Sequence, residues 1–175
     1  MSDLIATNAL DHQNETIRIA AQWAQEKLEN FTLDVENNPS GQKLVKISHI
    51  ISRRSSIDIF SGQSSEIGEF ATGIVKALAE GDGVLAKLSD VAVTVLKKVF
   101  GAASGSAQTE KIYEITFNEQ GGLDRLDVFF FCYRFTSSGM TDKAVVGICI
   151  IRSAAEMDDD NRGAAGNWPT RGTRW

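Results

Sequence analysis

Cysteine, proline and histidine are all scarce in this chain, with two of each in 175 residues. Two Cys are too few for a disulfide framework. Both lie in strongly apolar segments, FFFCYRF and VGICII, so buried free thiols are expected at Cys132 and Cys149. A cross-strand bridge or a lipid-modified Cys is the alternative reading. The two His, His12 and His49, leave little material for acid–base chemistry. Positive charge is not in excess either. A net charge of −5 and a pI near 5.1 argue against nucleic acid as a partner and against a basic anchor for anionic lipid. No run of 18 apolar residues exists, which excludes a constitutive membrane-spanning helix. MSDLIATNALDHQNE has neither a basic n-region nor an apolar h-region. A protein made in the cytoplasm without a signal peptide is expected, with a non-classical route as its way out of the cell.

What is present suits one globular domain. The chain is 42% hydrophobic and 23% charged, enough apolar side chain to bury a core. QNETIRIAAQWAQEKLENF (13–31) places Ile17, Ala20, Ala21, Ala24, Leu28 and Phe31 on one helical face, with Asn14 as its cap. Pro39 and Gly41 then mark a turn. KLVKISHIIS (43–52) alternates with period two, so a strand is expected. The polar RRSS reads as a break, followed by IDIF as a short further strand. In SSEIGEFATGIVKALAE, Ile67, Phe70, Ala71, Ile74, Val75 and Leu78 return to helical spacing.

After Gly81-Asp82-Gly83 comes LSDVAVTVLKKVFGAASGSA (88–107). Leu85, Leu88, Val91, Ala92, Val95, Leu96, Val99 and Phe100 cover most of a helix circumference. Lys87, Asp90, Thr94, Lys97 and Lys98 form a narrow polar stripe. Residues 65–103 thus read as a helical hairpin. The β-branched content of the second helix is poor for helix propensity, so burial must hold it helical. KIYEITFN (111–118), LDVFFFCYRF (126–135) and AVVGICIIR (144–152) are strands with short connections, an antiparallel meander. The last two are apolar on both faces and need cover on both. The expected fold is α+β, a three-layer α/β/α sandwich on a largely antiparallel sheet, covered by the N-terminal helix and the hairpin. The domain runs over 1–160, with an Arg/Trp tail at 161–175.

Motifs with catalytic or ligand chemistry are weak throughout. His49 sits among Ile residues and reads as structural, although a Cys–His pair from Cys132 or Cys149 could assemble in space. Gly81-Asp82-Gly83-Val84-Leu85-Ala86 fits G-x-G-x-x-A, but a helix precedes it where a dinucleotide site needs a strand. Asp158-Asp159-Asp160-Asn161-Arg162-Gly163 has the outline of a Ca²⁺ loop, with Arg162 at a ligand position and Pro169 where the bidentate Glu belongs. Arg53-Arg54-Ser55-Ser56 reads as a basophilic kinase site or a solvated turn. Asn14-Glu15-Thr16 and Asn30-Phe31-Thr32 match the glycosylation pattern by chance. No catalytic residue, cofactor or metal site is expected.

The order of elements, together with VLKKVFGAASGS at 95–106, resembles the cytolytic Cyt-type δ-endotoxins and their relatives over about residues 13–152. The chain is shorter than the insecticidal members and lacks their last long strand. The resemblance implies a pore-forming protein that detaches its helices, binds lipid and self-associates, with no catalytic residue to carry over. Leu88, Val91, Val95, Leu96, Val99 and Phe100, with Lys97 and Lys98, are then the membrane- or partner-binding face, the geometry of an interfacial helix. Trp168, Arg171 and Trp175 are candidate contacts between copies in a homo-oligomer. The alternative is a self-assembling structural or partner-binding module without membrane activity.

Overall fold

The computed structural model describes residues 2–37, 45–62, 66–79, 107–118, 121–136 and 142–156. They form α1 (Ser2–Asn37), β1 (Ile47–Gly62), α2 (Ile67–Ala79), β2 (Ala107–Phe117), β3 (Leu123–Thr136) and β4 (Asp142–Ala155). The strands make one four-stranded sheet in the order β1-β4-β3-β2. Every neighbouring pair is antiparallel. The fold is α+β, and the expected meander is β2-β3-β4. The second helix of the predicted hairpin and the Arg/Trp tail lie outside the described residues.

The two strands that read as apolar on both faces are the central ones. Odd-numbered side chains of β3 and β4, among them Phe129, Phe131, Val145, Cys149 and Ile151, pack beneath α1. Even-numbered ones, among them Val128, Phe130, Val146, Ile148 and Ile150, pack on the side of α2. The period of two thus feeds two separate cores.

On α1, Ala20, Ala24, Leu28, Phe31 and Val35 are buried in steps of three and four residues. The small residues allow close approach. A Cβ built on Gly147 would lie 3.4 Å from the Ala24 side chain and 3.6 Å from that of Leu28. Phe31 stacks on Phe129 with ring centroids 5.2 Å apart. The helix runs well beyond the expected 13–31 at both ends. Asn14 lies inside it and caps nothing, because the preceding SDLIATNALDHQ holds no Gly or Pro to stop the helix. At the other end Val35 prolongs the buried stripe.

Strand β1 departs most from expectation. RRSS is no break: Ile47 to Gly62 is one strand of 16 residues, paired with β4 throughout. Its register slips twice, between Ile47 and His49 and between Ile50 and Ser52. Ser48 and Ile51 are the extra residues of two β-bulges. Each bulge shifts the alternation by one. Ile47, Ile50 and Ile57 therefore all join the α1 core, while His49 and Ile51 turn out to solvent. The simple period of two across 45–51 would have put Ile47, His49 and Ile51 together.

The β2–β3 hairpin turns at Gly121, whose φ of 79° belongs to the left-handed region open to glycine. Asn118 accepts a backbone bond from Gly121 and donates its own N–H to the Gly122 carbonyl. Its side-chain oxygen accepts a second N–H, from Gly122.

Candidate functional site

Few of the sequence candidates come together. The predicted lipid-binding residues Leu88, Val91, Val95, Leu96, Lys97, Lys98, Val99 and Phe100 lie outside the described residues, as do Trp168, Arg171 and Trp175. His49 is exposed, and its Nδ1 lies 3.0 Å from the Ser48 hydroxyl. The expectation of a His held within the strand's apolar surroundings is therefore corrected: the first bulge turns it outward. Cys132 and Cys149 are both free and buried. They point to opposite faces of the sheet, Cys132 among the α2-side residues and Cys149 among the α1-side residues. No bridge can join them in this fold, and His49 is not among the groups that Cys149 meets. Burial pushes the Cys132 thiol up to about 12, with Arg134 opposing weakly. Burial also raises Cys149, against the Thr32 hydroxyl and the charge of Arg53. Neither is the low-pKa thiolate that nucleophilic catalysis requires. No cluster of metal-ligating side chains occurs among the described residues.

Two polar constellations emerge instead. The first closes the sheet at the start of β3. Arg125 and Asp127 are both almost wholly buried on the α1 side. Arg125 Nη2 donates to Asp127 Oδ1 at 2.9 Å. Its Nε lies 2.8 Å from Oδ2, but out of line for a hydrogen bond. Arg125 Nη1 donates to the Val45 carbonyl at 2.8 Å, and the Val45 N–H donates to the Tyr113 hydroxyl at 3.1 Å. The guanidinium also lies over the Tyr113 ring, 5.5 Å from its centroid. These groups clamp the chain just before β1. Desolvation holds the Asp127 carboxyl above the ordinary carboxylate range, despite Arg125. On the other face Arg152 Nε donates to buried Asp124 at 2.6 Å, and Asn118 Nδ2 donates to the same carboxylate at 2.9 Å. With their partners supplied from within, both ion pairs read as structural.

The second is a cleft of about 190 Å³ between α1 and β1. Gln25, Leu28, Glu29 and Thr32 form its helical wall, at the spacing of one helix face. Arg53, Ser55 and Ile57, alternate residues on one face, form the strand wall together with Ser56. Cys149 closes the floor, its Sγ 3.9 Å from the Thr32 hydroxyl. Thr32 itself donates to the Leu28 carbonyl at 3.0 Å. Gln25 Nε2 donates to Glu29 Oε1 at 2.5 Å. The cleft depends on RRSS continuing as strand. Arg53 and Ser55 face α1, while Arg54 on the opposite face donates to the Leu78 carbonyl near the end of α2 at 2.6 Å. Reading those four residues as a turn hid the cleft. The alternation that runs on through SSIDIF was the pattern that could have shown it.

No family model and no curated protein matches this chain.

Proposed function

We propose that the protein is a non-enzymatic, cytolysin-like membrane-active protein that binds lipid and self-associates, and that its sheet is covered on both faces in a three-layer α/β/α sandwich. The observation that carries the reading is the unequal hold on the two helices. Among the described side chains, α1 buries Ala20, Ala24, Leu28, Phe31 and Val35, whereas α2 buries Val75 and Ala79, with Phe70, Ile74 and Leu78 half-covered. A loosely held helix over an apolar sheet face can leave it once lipid or another copy offers replacement cover. The burial of Leu126, Val128, Phe130 and Cys132 on β3 supports a second covering element, since α2 packs chiefly on β1 and β4. The helix expected over 84–103 has the apolar breadth for that role.

The test is dye release from liposomes of mixed lipid composition, with the protein sized before and after. Leakage with large lipid-bound assemblies is the expected result. A disulfide engineered between α2 and β1 should block leakage until it is reduced. Leakage undiminished under oxidation would sink the detachment route. Val95→Glu should also abolish leakage, with circular dichroism separating that effect from unfolding.

A second reading has its own support. Among the described residues β1 is an edge strand, and Ile51 and Ile59 stand about half-exposed on it. An edge of this kind suits strand addition by a partner. Assembly in water without any effect on vesicles, lost when 161–175 are removed, would favour a partner-binding module.

A further inference from the structure

The cleft between α1 and β1 has oppositely charged walls that do not meet. Glu29 stands on the helical side and Arg53 on the strand side. Among the described residues no ion pair or hydrogen bond joins them. Hydroxyl, amide and thiol groups line the same cleft.

The groups sort by chemistry along the cleft. Arg53 brings a planar fork of donors that matches a phosphate or carboxylate, and Ser55 adds a hydroxyl on the same strand face. On the opposite wall the carboxylate of Glu29 accepts one bond from Gln25. It keeps further acceptor capacity, as does the Gln25 carbonyl oxygen. That wall is suited to an ammonium group. Leu28 and Ile57 on the two walls and Cys149 on the floor give an apolar stretch that suits a short carbon linker.

We propose that this cleft binds a small zwitterion, with its anionic group on Arg53 and Ser55 and its ammonium group on Glu29 and Gln25. The cleft has a volume of about 190 Å³. It falls below the ~300 Å³ at which pockets for larger ligands begin. The site therefore has the size of a head group. An amino-alcohol phosphate has this chemistry, whether free in solution or as the head of a phospholipid. The assignment does not depend on membrane activity, because its first readout uses a soluble ligand.

The experiment is calorimetric titration of the full chain with phosphoethanolamine. Glycerol phosphate serves as the anion alone and ethanolamine as the cation alone. Phosphoethanolamine should bind at least about tenfold more tightly than either half-ligand, the equivalent of one charge-assisted hydrogen bond. Arg53→Gln and Glu29→Gln should each weaken it by about tenfold. Both residues are exposed, so circular dichroism should remain unchanged. Arg53→Gln should abolish the preference for the phosphate half and Glu29→Gln that for the amine half, a split that a merely structural role would not produce. Vesicles of phosphatidylcholine, with and without phosphatidylethanolamine, distinguish the source. Capture by the second set that soluble phosphoethanolamine competes away assigns the site to lipid. Soluble binding without capture assigns it to a free metabolite. No preference over the half-ligands, or affinity unchanged in both variants, overturns the proposal. Vesicle capture without affinity for the soluble zwitterion overturns it as well.

Discussion

The two faces of the sheet are built from the same strands and held in different ways. Under α1 the cover is continuous: a long buried stripe, a close approach at Gly147, an aromatic stack and the Arg125–Asp127 clamp. Lys111 on β2 adds an ion pair to Asp34 at 3.2 Å and lies over the Phe31 ring. Under α2 the sheet is equally apolar, but the helix is shorter and, among the described side chains, buries fewer. Its C-terminal carbonyl at Leu78 is held by Arg54. An apolar surface alone therefore does not decide how firmly a layer is attached. The number of interlocking contacts made by its cover is expected to decide it.

The largest predicted effects are on the α1 side. Asp127→Ala would leave the Arg125 guanidinium buried without its counter-charge, at a cost of about 3–5 kcal/mol, read by denaturant unfolding. Phe31→Ala should cost a similar ~3–5 kcal/mol. Ala24→Leu should force α1 away from Gly147, at about 1–3 kcal/mol. On the other face Val75→Ala removes two methyl groups and should cost only ~1.6 kcal/mol, at ~0.8 kcal/mol each. Equal losses for Phe31→Ala and Val75→Ala would break the comparison. Hydrogen exchange would sharpen it, with the amides of α2 expected to exchange ahead of those in α1 at 20–35.

Smaller effects remain. Asp127 has a folded pKa raised above its unfolded value by burial, so the folded chain holds that proton more tightly. Its contribution is fully present below the unfolded pKa and is lost as pH rises through the folded one. Wild type should therefore gain stability relative to Asp127→Asn as pH falls through the carboxylate range, measured by urea midpoints. Gly73 is exposed in α2, and a Cβ there meets nothing within 4 Å. Gly73→Ala should stabilise by about 0.5–1 kcal/mol, seen as a higher thermal midpoint. Under the proposed function it should also slow vesicle leakage if helix α2 must unwind, and leave it unchanged if α2 departs intact.

Much of this architecture was legible in the residues. The stripe on α1, the stripe on α2 and the doubly apolar β3 and β4 follow directly from spacing, because burial on one side or both leaves a period in the sequence. The bulges of β1 left no such mark. Inserting Ser48 and Ile51 breaks the alternation at its source, so Ile50 looks like an outward residue until its partner Ser153 is known. RRSS failed for a related reason: four polar residues suggest solvent on both sides, yet here they face a cleft on one side and the end of a helix on the other. The Arg125–Asp127 pair was illegible because it joins residues two apart in β3 to the chain before β1. Its signal is a charge pair within a buried strand, which carries no period. The cleft shares that difficulty, since its walls come from 25–32 and 53–57 and neither segment is unusual alone.

The placement of the two cysteines gives the molecule a built-in clock. Each face of the sheet holds one protonated, buried thiol, Cys132 towards α2 and Cys149 towards α1. Cys132 is shielded by the cover on its face, whereas Cys149 lies at the floor of the cleft between α1 and β1 and is approached through it. Labelling of Cys132 by a thiol reagent would therefore time the opening of the α2 face, and labelling of Cys149 would report access to the cleft, in the unmodified chain and in the presence of any surface offered to it.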